Sequence, residues 1–475
     1  MPGLVIGVDS STTATKVEVR DTQTGQLVAT GSHAHPPTGP PPRSEQDPGE
    51  WWAALVQAVH AAGRYDVDAI AVAGQQHGLV VLDGDDRVVR PAKLWNDTES
   101  AADAGWLVKQ LGGSEAWADA CGSVPVAAFT IAKLSWLHRS EPEAFGHLRH
   151  VLLPHDWLTW RLSGRFVTDR GDASGTGYWS PAENRWRPDL LRIVDGETDW
   201  VSALPDVLGP ADAAGPLVDA AARPLGLDGR DVLVAAGTGD NMAAALGLGL
   251  EPGDVVISVG TSGTVYAVAE RPTADPAGAV AGFADATGRF LPLVCTLNAT
   301  RVTDAFRRLL GVDHAQFDEM ALEAPAGAGG VVLVPYLDGE RTPNRPDDSG
   351  TLTGLRSDTT REQLARAAVE GVVCGLLDGL DALRAAGVPT DRGRLFLVGG
   401  GARSAAYRAV VAGLAQRPVI AVAGETVARG ACLQAATVLL GQMPAWRPDG
   451  SEMVDPIISA EEAAEVRSAY AAARG

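Results

Sequence analysis

One short sequence plan occurs twice in this chain and constrains the fold more than any other feature. Leu4-Val5-Ile6-Gly7-Val8 is apolar, Asp9 to Thr15 is a polar turn, and Lys16-Val17-Glu18-Val19-Arg20 alternates with period two. In the second half, Val255-Val256-Ile257-Ser258-Val259 runs into Gly260-Thr261-Ser262-Gly263 and a further strand, Thr264-Val265-Tyr266-Ala267-Val268. Each copy predicts strand, hydroxyl-rich turn, strand. Copies so far apart are no solenoid, whose period is shorter. They predict two related domains with a boundary near Leu246 to Pro252. Length agrees, because 475 residues exceed what one hydrophobic core usually serves.

Between the copies, strands, helices and Gly-rich turns alternate, an α/β pattern. Asp47-Pro48-Gly49-Glu50 predicts a helix start with Asp47 as N-cap and Glu50 completing a capping box. Asp68-Ala69-Ile70-Ala71-Val72-Ala73 predicts a buried strand ending at Gly74-Gln75-Gln76-His77-Gly78. Val232 to Ala236 leads into Gly237-Thr238-Gly239-Asp240-Asn241 and an Ala-rich helix, and Leu395-Phe396-Leu397-Val398 runs into Gly399, Gly400 and Gly401.

The formal net charge of −20 repels DNA, RNA and anionic lipid, which disfavours a phosphate-tracking surface. Any nucleotide must then be held by backbone N–H groups and a metal ion rather than by bulk charge. Cys121, Cys295, Cys374 and Cys432 form no CxxC pair, and only His33/His35 and His147/His150 lie close together among nine histidines. Reduced thiols in the cytoplasm and no structural metal are expected. No apolar run is long enough to span a bilayer, and no signal-like segment precedes Leu4.

The two turns offer Ser10, Ser11, Thr12, Thr13 and Gly260 to Gly263, whose N–H groups and hydroxyls suit a polyphosphate. An ordinary hairpin turn is the plainer reading of either one alone. Asp9 could anchor Mg²⁺ or merely form an Asx turn. Asp240 could be an N-cap or the general base of a phosphoryl transfer, with a helix N-terminus favouring its ionised form. Gln76 and His77 follow a buried strand's carboxyl end, where α/β proteins place ligands. No P-loop occurs, the four lysines never follow a glycine, and neither HRD, DFG nor GxGxxG is present.

Taken in order, these segments resemble the FGGY family of carbohydrate kinases. The series includes Ser44-Glu45-Gln46-Asp47-Pro48, Trp95-Asn96-Asp97, Phe129-Thr130-Ile131-Ala132-Lys133, Leu153-Pro154-His155-Asp156 and Asp172-Ala173-Ser174-Gly175-Thr176. It closes with Pro335-Tyr336-Leu337-Asp338-Gly339-Glu340-Arg341-Thr342-Pro343 and Gly399-Gly400-Gly401-Ala402-Arg403-Ser404. Two departures stand out: Ser11 and Ala14 replace glycines of the usual first turn, and Gln76 stands where Met is common.

The resemblance implies two actin-like, ribonuclease-H-type domains around a central cleft, 1–247 for sugar and 248–475 for nucleotide. It implies ATP and Mg²⁺ as cofactors, with a small sugar, D-xylulose, as acceptor; ribulose, gluconate or glycerol are the rivals within the class. A non-catalytic actin-like sugar sensor is the rival outside it. Asp240 is implied as base, Asp9 and Asp240 as metal carboxylates, and Gln76, His77, Asp240 and Asn241 as sugar contacts. Thr12, Thr13, Lys16, Gly260, Thr261, Thr300, Asp304, Gly400, Gly401 and Ser404 are implied on the nucleotide side. No nucleic-acid or membrane partner is implied, and a homodimer is compatible.

Overall fold

The computed structural model describes residues 3–446 and 450–475. The first sheet contains β1 (Leu4–Ser10), β2 (Ala14–Asp21), β3 (Leu27–Ala34), β4 (Val67–Gly74), β5 (Ala213–Pro216), β6 (Leu233–Ala235) and β7 (Thr238–Gly239). Its order is β5-β6-β4-β1-β2-β3, with β7 pairing β4 beyond the end of β6. The second contains β8 (Val255–Val259), β9 (Gly263–Ala267), β10 (Ala281–Ala284), β11 (Phe290–Thr296), β12 (Leu395–Val398), β13 (Val419–Val422) and β14 (Ser451–Val454). Its order is β10-β11-β9-β8-β12-β13-β14.

The predicted echo is therefore an echo of whole sheets. Within β3-β2-β1-β4-β6, the β3–β2 and β2–β1 pairs are antiparallel and the β1–β4 and β4–β6 pairs parallel. Within β11-β9-β8-β12-β13 the same sequence of pairings recurs. This is the ribonuclease-H-type arrangement of actin-like ATPases, built twice. The parallel strands are near-continuous apolar runs because helices cover both faces.

The helices that matter here are α1 (Pro48–Ala62), α2 (Pro154–Ser163), α3 (Arg170–Ala173), α4 (Asp240–Leu248), α5 (Thr300–Leu310), α6 (Arg361–Ala385), α7 (Ala405–Ala415), α8 (Thr426–Leu440) and α9 (Ala460–Arg474). Asp47 caps α1, but its carboxylate takes the nearer N–H of Gly49 at 2.8 Å. This is an Asx-type closure, and the expected box with Glu50 does not form.

α8 belongs to the second half by sequence but lies on the first sheet. It crosses β1 at Gly7, where an added Cβ would stand 2.1 Å from Ala428 O and 2.4 Å from Cys432 N. It crosses α4 where an added Cβ on Gly430 would meet Ala243 O at 1.8 Å. Only glycine permits backbones so close. Cys432 Sγ reaches Glu18 O at 3.4 Å, and Gln434 exchanges two hydrogen bonds with the Gly237 backbone at 3.0 and 2.9 Å. The chain thus returns to its first sheet before β14 and α9 complete the second lobe. Among the described residues, no helix is long and apolar enough to cross a membrane.

Candidate active site

The site forms where strands of the first sheet end. In register, Asp9 of β1 and Thr238 of β7 both pair with Ala73 of β4, from opposite sides. The segments bearing Asp9 and Asp240 are therefore two strand spacings apart, about 10 Å between backbones. Both point to one end of the sheet, and their charges interact. Burial, then Asp9, then Asp172 push the Asp240 carboxyl up to about 7. Burial also lifts Asp9 to about 7, opposed by Lys16 and reinforced by Glu425 and Glu18.

This corrects two expectations for Asp240. Gly239, not Asp240, is the N-cap of α4, and the Asp240 carboxylate instead accepts from Asn241 N at 2.8 Å and Asn241 Nδ2 at 3.0 Å. The helix N-terminus does not leave the acid strongly ionised, because burial beside two further carboxylates outweighs a partial dipole charge.

Gln76, His77 and Asn241 meet in one cavity of about 50 Å³, with Phe129, Cys295 and Arg341 also in its wall. Asn241 Nδ2 donates to Gln76 Oε1 at 2.8 Å. Gln76 Nε2 is buried and has no partner among the described residues, so one amide donor is held ready for a ligand acceptor. His77 sits at φ 65° and donates from Nδ1 to Gly175 O at 2.8 Å. Burial, with Lys133 and Arg341 nearby, lowers its pKa to about 3. The ring is thus neutral at physiological pH and keeps Nε2 as an acceptor. Phe129 and Phe283 flank it with centroids 5.1 and 5.6 Å away. Phe283 comes from β10, whose Gly282 and Ala284 N–H groups donate to Ser123 Oγ and Ser174 Oγ at 3.1 and 2.9 Å. The second sheet's edge strand thereby completes the pocket.

A buried ionic cluster supports the segment that carries Asp240. His155 Nδ1 donates to Asp172 Oδ2 at 2.7 Å, and Nε2 lies 3.1 Å from Asp156 Oδ1. Burial opposes the imidazolium, but Asp156, Asp172 and Asp169 raise it to about 9. Asp169 caps α3 and accepts from Thr238 Oγ1 at 2.7 Å, which fixes β7.

On the nucleotide side, the expected residues separate. Gly260, Thr261 and Thr300 come together: Thr300 N donates to Gly260 O at 2.9 Å and Ala299 N to Thr261 O at 3.3 Å. Thr12 Oγ1 accepts from Trp95 Nε1 at 2.9 Å and donates to Gln75 Oε1 at 3.1 Å, while Thr13 is exposed. Lys16 Nζ is 2.9 Å from Glu425 Oε1 and 3.9 Å from Asp9 Oδ2. Gly400 is open, whereas a Cβ on Gly401 would strike Val259 Cγ1 at 2.5 Å, so close packing suffices to explain glycine there. Ser404 caps α7 and donates to Asp318 Oδ1 at 2.6 Å. Asp304 lies 3.4 Å from Arg307 Nε.

Two buried carboxylates at one end of the sheet, Asp9 raising the cost of ionising Asp240, are a donor set suited to a hard divalent cation. The acidic trio Glu45, Asp97 and Glu99 is not such a site, because Lys93 Nζ stands among them at 3.2, 2.9 and 2.6 Å. Sequence reasoning assigned no role to His155, Asp172 or Arg341, although their motifs were in view, and it missed Phe283, Cys295 and Glu425. Arg341 and His155 carried a signal in their ordered motifs. Phe283 and Glu425 carried none, since only folding brings them to the cleft.

Comparison with known proteins agrees with this geometry. The model of the FGGY family N-terminal domain matches residues 4–247, and that of the C-terminal domain matches residues 255–439. A xylulose kinase of Streptomyces rubiginosus is 46% identical over 467 residues, covering 97% of this chain and 94% of that protein. A xylulose kinase of Streptomyces coelicolor is 47% identical over 462 residues, covering 96% and 93%. Among solved structures, a xylulose kinase from Bifidobacterium adolescentis superposes with TM-score 0.87 at 43% identity, covering 100% of both chains. With both domain models matched in order and the doubled sheet between them, the chain belongs to the FGGY family of carbohydrate kinases.

Proposed function

We propose that this carbohydrate kinase phosphorylates D-xylulose with ATP to give D-xylulose 5-phosphate, with Asp240 as general base. The observation that carries this reading is the convergence of Asp9, Asp240, Gln76, His77 and Asn241 at one end of the first sheet. The named relatives, xylulose kinases at 46% and 47% identity, support the acceptor.

The acceptor hydroxyl would sit against Asp240, whose pKa near 7 suits proton removal at neutral pH. Gln76 Nε2 and the neutral His77 Nε2 offer one donor and one acceptor to sugar hydroxyls. The ring walls of Phe129 and Phe283 exclude water from the same space. At about 50 Å³ the cavity holds only a few waters. Entry of a pentulose therefore requires the lobes to part, and their closure limits transfer to water. The γ-phosphorus–oxygen bond to ADP breaks as the bond to the acceptor oxygen forms, and the proton passes to Asp240. Asp9 and Asp240 would hold Mg²⁺, which supplies positive charge at the phosphates when bound.

A coupled ADP-release assay across D-xylulose, ribulose, gluconate and glycerol tests the reading. D-xylulose is expected to be turned over fastest. Faster turnover of another acceptor overturns the substrate, and sugar binding without sugar-dependent ADP release overturns the kinase in favour of a sensor.

A further inference from the structure

Phosphoryl transfer brings negative charge into a site whose nearby side chains are themselves acidic: Asp9, Asp240 and Asp172. The cations that could answer it are few, and most are occupied. Lys16 is held by Glu425 at 2.9 Å. Lys133 is fully buried beneath the pocket, with its ammonium donating to His77 O at 3.1 Å and to Ala128 O. Arg341 differs. It lines the pocket with Gln76, His77 and Asn241, yet among the described residues its guanidinium meets no carboxylate.

The surrounding loop explains why. Asp338 pairs with Arg301 at 3.4 Å and Asp348 with Arg345 at 3.6 Å. Glu340 is buried and turned inward: Oε1 accepts from Leu297 N at 2.6 Å and Arg341 N at 2.7 Å, and Oε2 from Asn298 Nδ2 at 3.0 Å. Asp338, Glu340 and Asp348 are thus committed elsewhere, and a half-buried guanidinium is left facing a cavity. Leaving such a charge unpaired is costly unless a ligand answers it. A neutral sugar, met by neutral Gln76, His77 and Asn241, needs no full positive charge.

The same contacts tie Arg341 to the nucleotide turn. Glu340 fastens the loop to Leu297 and Asn298, and the next two residues, Ala299 and Thr300, donate to Thr261 O and Gly260 O. A shift of the 260–262 turn on binding phosphate would therefore be felt at Arg341 through three residues of backbone. We propose that Arg341 is a further catalytic residue, delivered from the second lobe, whose guanidinium donates to the phosphoryl oxygens as the group passes from ADP to the sugar. Glu340 is its positioning residue. No bond is made or broken by Arg341; the proton goes to Asp240, and the arginine only stabilises charge. The inference rests on the pocket being the acceptor site.

The test uses the full-length enzyme with ATP, Mg²⁺ and whichever sugar the wild type turns over fastest, so a change of preferred sugar leaves the Arg341 result intact. Arg341→Ala is expected to lower kcat by about 10²–10³-fold, as for loss of one preorganised donor. KM for the sugar should move less than about threefold, the split expected when an interaction is made only in the transition state. Arg341→Lys should recover part of the loss, because charge survives without the planar fork. Added guanidinium ion should restore part of the Ala variant's rate and leave wild type unchanged or slower. Glu340→Gln should lower kcat without removing ATP binding. A melting temperature of Arg341→Ala no lower than that of wild type excludes misfolding as the cause. The proposal is overturned if Arg341→Ala keeps kcat within threefold, if its loss lies wholly in sugar KM, or if guanidinium restores nothing. A wild type with no sugar-dependent turnover would remove the acceptor reading and this role together.

Discussion

The two lobes share one sheet and arm it differently. Where β1 ends in Asp9 and Ser10, β8 ends in Val259 and passes to Gly260. Where β4 runs into Gln75, Gln76 and His77, β12 runs into Gly399, Gly400 and Gly401. The first lobe presents carboxylates, an amide and an imidazole at its strand ends; the second presents turns poor in side chains, with backbone groups near the surface. Directional side chains suit a small polyol with many hydroxyls to read, and backbone N–H groups suit phosphate oxygens in a chain this acidic. The duplicated scaffold thus carries directional side chains at one set of strand ends and glycine-rich turns at the other.

The sharpest way to break that contrast is to remove the first lobe's carboxylate. Asp240→Asn is expected to lower kcat by about 10²–10⁴-fold, the range for a general base, while sugar binding persists in a direct titration. Retention of more than about a tenth of the rate would exclude Asp240 from proton transfer. The same variant should melt higher. The folded-state pKa of Asp240 is raised from 3.8 to about 7, so between those values the native protein holds a proton that the unfolded chain has lost. Its contribution to stability is fully present below about pH 4 and is lost as pH rises through 7. In metal-free buffer, the melting difference between variant and wild type should therefore grow from pH 5 to pH 8. In the active enzyme the same titration should make kcat/KM climb with pH up to about 7, by roughly tenfold per unit at the acid end. A flat acid limb would show that another group carries the proton.

A crossed pair of substitutions sharpens the contrast at smaller amplitude. His77→Ala should raise the sugar KM by about tenfold or more, the cost of leaving buried hydrogen-bonding groups unpaired, with little change in the ATP KM. Thr261→Ala should do the reverse by about five- to tenfold, since loss of one hydroxyl costs roughly 1 kcal/mol. Initial-rate measurements with each substrate varied separately decide it. Equal effects of both variants on both substrates would show that the lobes do not divide the work.

How much of this was legible beforehand follows the range of each interaction. The hairpins at β1–β2 and β8–β9 could be read because period-two alternation and turn residues are local. Their sheet-wide correspondence follows the same local plan. Asp9, Gln76, His77 and Asp240 could be singled out because each stands at a strand end, within a few residues of its signal, whereas Asn241 entered only through the family resemblance. The course of α8 was not legible. Its landing on β1 and α4 depends on Gly7 and Gly430 removing two side chains at crossings between segments distant in sequence, and a glycine in a strand or helix announces only that something comes close. The raised pKa of Asp240 was equally hidden, because it comes from burial beside Asp9 and Asp172. Helix position alone pointed the other way.

Lys16 gives the smallest and most pointed test, because sequence placed it on nucleotide and the fold places it on Glu425. Burial disfavours its ammonium, but Glu425 and then Asp9 hold it charged. The pair joins β2 of the first sheet to the residue that precedes α8, and both side chains are partly exposed, 39% and 41%. Such a pair is worth about 0–1 kcal/mol, so Glu425→Gln should move the melting temperature only slightly. If Lys16 turns to phosphate when ATP arrives, the wild type must first break this pair, and the variant need not. The ATP KM should then fall by up to about fivefold at low salt, the equivalent of 1 kcal/mol. Screening should erase most of that difference at about 1 M salt, where the Debye length is about 3 Å. An ATP KM that is unchanged at low salt, or that rises, would leave Lys16 as a tie between the first sheet and α8. Phosphate recognition would then proceed without Lys16.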